Sequence, residues 1–146
     1  MSLGAALFLA LACGGSEGKE LTLGSVKVSD HGTKDVSALS SLALEVDDYY
    51  FEPTFLRGKP GQALKVEIAN ESSTLHNFTI ASLGIDKDIS GKGKVAVDVS
   101  FPQSGVLLFV CKYHTGQGMN GELLVGDATP QPAGSAGSNP DYPTGY

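Results

Sequence analysis

Tryptophan is absent from this chain of 146 residues, and methionine occurs only twice, as Met1 and Met119. Cysteine is as scarce, with Cys13 and Cys111, and the histidines are His31, His76 and His114. So few sulfur and imidazole groups leave no room for Met-rich or His-rich metal-scavenging tracts. They also leave no room for several separate histidine-bound metal centres. Basic residues number 10 against 16 acidic ones, a formal charge of -6. Binding to a duplex depends on neutralising phosphates, so this balance excludes a nucleic-acid partner. It leaves a basic protein partner open. No Ser-His-Asp or paired-carboxylate arrangement stands out, and no internal repeat is visible. Glycine, by contrast, is plentiful at 19 residues, which suits a β-rich fold with many turns rather than a helical bundle. The length suits one domain with a modest core.

The two ends read as additions to that domain. The apolar run LGAALFLALA (3–12) is too short to cross a hydrocarbon core of about 30 Å. It has the character of an export signal covering residues 1–13. Cys13 follows LALA and precedes GGS, which resembles a bacterial lipoprotein signal, whose Cys becomes the lipidated first residue of the mature chain. This places the protein outside the cytoplasm, anchored through Cys13 to the cell membrane, or otherwise periplasmic or secreted. A disulfide between Cys13 and Cys111 would require the signal to be retained. Residues 14–41 read as a linker carrying at most one added strand, LTLGSVKV, with His31 a solvated turn residue in DHGTKD. Residues 127–146 are rich in Pro, Gly and Ser and read as a disordered tail.

Between residues 42 and 126 the apolar residues alternate. LALEVD (42–47), ALKVEIAN (63–70) and KVAVDVSF (94–101) each put apolar side chains on one face, with turn signals at RGKPGQ, NESST, SGKGK and FPQSG between them. This predicts an all-β antiparallel sandwich. VLLFVC (106–111) is apolar on both faces and is expected to run centrally. DYYFEP (48–53) is expected as a strand end or a short helical turn.

The chemistry gathers in FVCKYHTGQGMNGELLVG (109–126), where Cys111, His114 and Met119 stand at C-x2-H-x4-M spacing after an apolar strand. His76 opens another strand upstream, in TLHNFTI. One thiolate, two imidazoles and a weak thioether describe a blue-copper electron-transfer site. Cu(I) favours soft sulfur and low coordination, Cu(II) favours nitrogen and tetragonal geometry, and a mixed set suits both well enough that little moves on reduction. Zinc can use the same His2Cys set, but copper outcompetes it on intrinsic affinity.

With these residues in view, the chain resembles the cupredoxins, and among them the plastocyanin-like and pseudoazurin-like type, over residues 42–126. The resemblance rests on VDDYYFEPTFLRGKPGQALKVEIANESSTLHNFTI and on FPQSGVLLFVCKYHTGQGMNGELLVG. It implies a Greek-key β-sandwich holding one copper ion, with His76, Cys111 and His114 as equatorial ligands and Met119 as the long axial one. It gives Asn77 the task of bracing the two ligand loops by bonding to backbone near Lys112. Many related loops carry Ser or Thr after the Cys and Pro before the second His, where this chain has Lys112 and Tyr113. The resemblance further implies an electron carrier, acting as a monomer and exchanging single electrons with redox proteins through the edge of His114. Gly116 and Gly118 are expected to help build an apolar patch there. Copper storage or delivery at the membrane surface is the second reading. Multicopper oxidases and copper nitrite reductases need more histidines than the spare His31, and a binuclear copper site needs a second Cys in the loop, so catalysis is not expected.

Overall fold

The structure, a computed structural model, describes residues 18–131. These form two six-stranded sheets packed face to face, joined by tight turns and two single-turn 3-10 helices. The strands are β1 (Lys19–Leu23), β2 (Val26–Asp30), β3 (Thr33–Asp35), β4 (Ser41–Asp47), β5 (Tyr50–Glu52) and β6 (Phe55–Gly58). They continue with β7 (Ala63–Asn70), β8 (His76–Ile80), β9 (Ile85–Ile89), β10 (Lys94–Ser100), β11 (Val106–Val110) and β12 (Asn120–Val125). The first sheet runs β1-β2-β5-β4-β7-β10 and the second β3-β6-β12-β11-β8-β9, so the chain repeatedly crosses from one sheet to the other. No helix among the described residues is long and apolar enough to cross a membrane.

The alternation read from the sequence is the alternation of burial. Leu42, Leu44 and Val46 of β4 and Leu64, Val66 and Ile68 of β7 all point into the core, while their neighbours face solvent. Between the sheets Phe51 stands edge-on to Phe78 and Phe109, with ring centroids 5.9 and 5.1 Å away. Large aromatic side chains at such spacing carry much of a small core's burial energy.

The expected all-β sandwich is present, and six of the strand pairings among the described residues are antiparallel. Strand direction departs from the expectation only in part: β4 pairs with β7, β6 with β12, β3 with β6 and β2 with β5 in parallel. A two-residue period fixes which face a side chain takes and says nothing about the direction of the neighbouring strand.

The N-terminal segment also differs. Residues 14–41 were expected as a linker with at most one strand; from Lys19 onward they contribute β1, β2 and β3. β1 and β2 form a hairpin that folds over the outer face of the second sheet. Val28 packs with Phe55, Val106 and Leu124, and Val26 packs against Leu108 and Val110. That cover explains why all five residues of β11 are buried and why the strand is apolar on both faces. His31 is likewise no solvated bystander. Its side chain is 9% exposed, stacks on Tyr50 at 3.7 Å and lies 3.5 Å from Glu52. Thr54, fully buried, ties this corner together by accepting from the His31 backbone N–H at 2.7 Å. The DYYFEP segment is a hairpin turn, with Tyr49 at φ 73 between β4 and β5. At the other end, Ala128 packs beside Leu124, and the Arg57 guanidinium donates to the Ala128 carbonyl at 2.9 Å. The expected export signal with Cys13, and residues 132–146 of the expected tail, lie outside the described residues.

Candidate metal centre

β8 opens on His76, and the turn between β11 and β12 carries Cys111, His114 and Met119. β11 and β8 are neighbours in the second sheet, so the start of one strand and the end of the other bring His76 to the loop. The ligand atoms of His76, Cys111 and His114 all lie within 4.8 Å of one another. The two Nδ1 atoms face each other at 3.2 Å, and Cys111 Sγ is 3.4 Å from His114 Nδ1. Nitrogens about 3 Å apart are spaced as two donors to one ion with metal–nitrogen bonds of about 2 Å. His76, Cys111 and Met119 are fully buried, and Met119 belongs to the same core cluster as Cys111. Soft thiolate beside imidazole is a donor set that fits one copper ion.

The loop closes on its own backbone. His114 N–H donates to the Cys111 carbonyl at 3.0 Å, Met119 N–H to the His114 carbonyl at 3.2 Å, and Cys111 N–H to the Met119 carbonyl at 3.0 Å. Gly118 makes this path possible with φ 97, a conformation that side chains rarely adopt. From outside, β2 clasps the same loop: Ser29 N–H donates to the Gly118 carbonyl at 2.9 Å, and Asn120 Nδ2 to the Lys27 carbonyl at 2.9 Å. Gly118 is therefore buried beneath Ser29, and of the two glycines expected at the apolar patch only Gly116 is exposed.

Burial disfavours the charged form of all three donors. Burial raises the Cys111 thiol above its ordinary value. Burial, and for His76 also the facing His114, lowers both imidazoles. Neutral imidazole is the form that ligates, and a bound cation deprotonates a coordinating thiol.

Asn77 does more than brace a backbone. Its Oδ1 accepts from Lys112 N–H at a long 3.4 Å and from Thr79 Oγ1 at 2.5 Å. Its Nδ2 donates to Asp86 at 2.8 Å and Asp88 at 2.9 Å on β9. The two unusual loop residues dock on the same carboxylates: Lys112 Nζ lies 2.7 Å from Asp86, and the Tyr113 hydroxyl 3.0 Å from Asp88. Lys112 is accordingly raised and both aspartates lowered, Asp86 chiefly by Lys112 and Asp88 chiefly by Asn77. Asp86 and Asp88 escaped the sequence reading, although their i, i+2 spacing places them on one face of a strand. Tyr49 escaped it too; its ring meets His114 edge-on at 4.9 Å. Ser72, whose Oγ lies 3.0 Å from His76 Nε2, was hidden in the turn NESST.

A family model described as a cupredoxin-like domain matches residues 6–125. No curated protein matches the chain significantly. Among solved structures, the metal-binding domain of a Cu(I)-exporting P-type ATPase from Streptococcus pneumoniae, solved with Cu(I), superposes with a TM-score of 0.56 at 11% identity, covering 66% of this chain and 98% of that one. Reduced auracyanin from the photosynthetic bacterium Roseiflexus castenholzii gives 0.51 at 15% identity, covering 60% and 97%. A chain of a heme-copper terminal oxidase gives 0.52 at 16%, covering 74% and 79%. At these identities the likeness is one of fold.

Proposed function

Because the chain belongs to the cupredoxin-like domain family, we propose that it is a mononuclear blue-copper protein that carries single electrons between redox partners outside the cytoplasm. The observation that carries this reading is the convergence of His76 with Cys111 and His114 of the loop, all within 4.8 Å; Met119, buried in the same core cluster as Cys111, would supply a thioether. Copper supplies the one-electron couple when bound. The residues supply a fixed cage. The loop's internal hydrogen bonds, its clasp by β2 and the Asn77 brace leave the donors little freedom to follow a change of oxidation state, and burial of the thiolate excludes water.

Electrons enter and leave by the edge of His114, the one of these donors that reaches the surface. Around it stand Tyr49, 39% exposed, and Tyr113, 44% exposed, while Leu75, beside His76, is 45% exposed. Apolar surface of this kind suits brief contact with a partner whose redox group must come close. A lipid anchor at Cys13 would hold the carrier at the membrane. No catalytic role is assigned to the site, since the four ligand side chains leave only His31 spare among the histidines.

Addition of Cu(II) to the purified protein should give an intense visible thiolate-to-copper band that is abolished in Cys111→Ser and bleached reversibly by one electron. A colourless complex would overturn the reading. Leu75→Glu should leave the band in place and slow electron exchange with partners. Ready transfer of Cu(I) to an acceptor protein, with slow electron exchange, would instead assign the protein to copper storage or delivery.

A further inference from the structure

We propose that Ser72, itself oriented by Asn70, is a positioning residue that fixes which nitrogen of His76 carries the proton and holds the ring in its ligating orientation. The inference rests on His76 serving as a metal ligand, and it deepens that reading by naming what prepares the ligand before any metal arrives.

The argument is one of donors and acceptors. Asn70 is 2% exposed, and its Nδ2 lies 2.8 Å from the carbonyl of Thr74, 3.0 Å from that of Ile89 and 3.1 Å from that of Ser90. Carbonyl oxygens only accept, so this end of the amide must be the NH2 and the other end the oxygen. Asn70 Oδ1 then faces Ser72, accepting the backbone N–H at 3.0 Å with the Ser72 hydroxyl also 3.0 Å away. A second carbonyl, that of Thr74, lies 3.4 Å from the same hydroxyl. Both are oxygens that accept and cannot donate, so they offer the single hydroxyl hydrogen of Ser72 a partner away from the imidazole.

What remains on Ser72 Oγ is lone-pair capacity. One lone pair takes the Thr74 N–H at 3.0 Å. The other faces His76 Nε2 at 3.0 Å, and with the hydroxyl hydrogen turned to Asn70 this nitrogen is the donor of the pair. Asp48, 3.8 Å from the same nitrogen, favours a proton there as well. With Nε2 protonated, Nδ1 presents its lone pair, and Nδ1 is the atom that faces His114 Nδ1 at 3.2 Å. The whole relay is buried, Ser72 being 6% exposed and His76 fully buried, so water has no easy access as a substitute partner. A hydrogen bond accepted from the outer nitrogen also makes the imidazole a better donor to metal.

The test uses the full chain labelled with 15N at histidine. In the metal-free wild type the His76 ring should show an unprotonated Nδ1 and an Nε2–H whose proton exchanges slowly with water. In Ser72→Ala that proton should exchange fast enough to lose its signal, and Ser72→Thr should restore it. A wild-type His76 protonated on Nδ1, or an Nε2–H signal equally protected in Ser72→Ala, overturns the proposal. On loading with Cu(II), Ser72→Ala should bind about ten- to a hundredfold more weakly, with a raised reduction potential, and Ser72→Thr should recover both. If the wild type binds no copper, the electron-transfer reading fails alone, because the ring measurement is made without metal. If Ser72→Ala does not fold, the tautomer of the wild type still decides.

Discussion

Replacing Gly118 by alanine tests the clasp between the N-terminal hairpin and the ligand loop. Two independent costs arise. Gly118 has φ 97, and placing an L-residue in left-handed backbone costs about 1–2 kcal/mol. The added Cβ would also stand 2.8 Å from Ser29 Oγ and 3.2 Å from Ser29 N, an overpacking penalty of about 1–3 kcal/mol. The sum is about 3 kcal/mol. With a urea m-value of about 1.5 kcal/mol per molar, the unfolding midpoint of the metal-free, reduced protein should fall by about 2 M. Ser29→Ala removes the nearer obstacle and leaves the backbone term. In that background Gly118→Ala should cost about 1 kcal/mol less, a coupling within the range for residues in contact. An equal cost in both backgrounds would refute the placement of β2 on the loop. A cost below about 1 kcal/mol in either would refute the left-handed backbone.

Three further outcomes are expected. Phe51→Ala empties the centre of the aromatic cluster and should cost about 3–5 kcal/mol in thermal or urea unfolding; a loss under about 1 kcal/mol would show that the cluster is not packed as described. His76 and His114 are held below the ordinary 6.5 by burial, so on acidification the unfolded chain takes up protons first. The stability they contribute is complete above about 6.5 and is lost as pH falls toward their lower folded values. The urea midpoint of the metal-free protein should drop over that window, and a flat profile would contradict the burial. Finally, the double variant Asp86→Asn, Asp88→Asn removes two negative charges beside the ligand loop. Voltammetry of the copper form should show the potential rising by on the order of tens of millivolts, more at low salt than at high. No shift at low salt would mean that the carboxylates do not act on the site.

The legible parts of the molecule were those written in short-range pattern. Val66 and Ile68 announce their face by alternation, and Cys111, His114 and Met119 sit close enough in sequence for spacing to speak. His76 could be added because it opens a strand of its own. Strand direction was not legible, since β4 and β7 would alternate identically whether parallel or antiparallel. Nor was the role of β1 and β2: Leu21, Leu23, Val26 and Val28 look like a small amphipathic hairpin until Phe55, Val106 and Leu124 supply the surface that they cover. His31 sounded like a turn residue because its partner Tyr50 lies across a parallel pairing that no local pattern encodes. Lys112 and Tyr113 looked like departures from a familiar loop; their meaning depended on Asp86 and Asp88, which reach them only through the pairing of β8 with β9.

The place of β12 bears on the order of events during synthesis. It is the last strand among the described residues and yet lies inside its sheet, with β6 on one side and β11 on the other. Until residues 120–125 have been made, the pair β3–β6 and the group β11–β8–β9 have no strand between them to join them. Contacts of such long sequence separation form slowly. The Cys111 thiol precedes β12 in the chain, so a nascent molecule carries it before the backbone bond from Cys111 to Met119 can form. During that interval the loop lacks the bond that closes it on Cys111. Arrival of β12 lets the loop close, which makes completion of this sheet the natural starting point for loading the site.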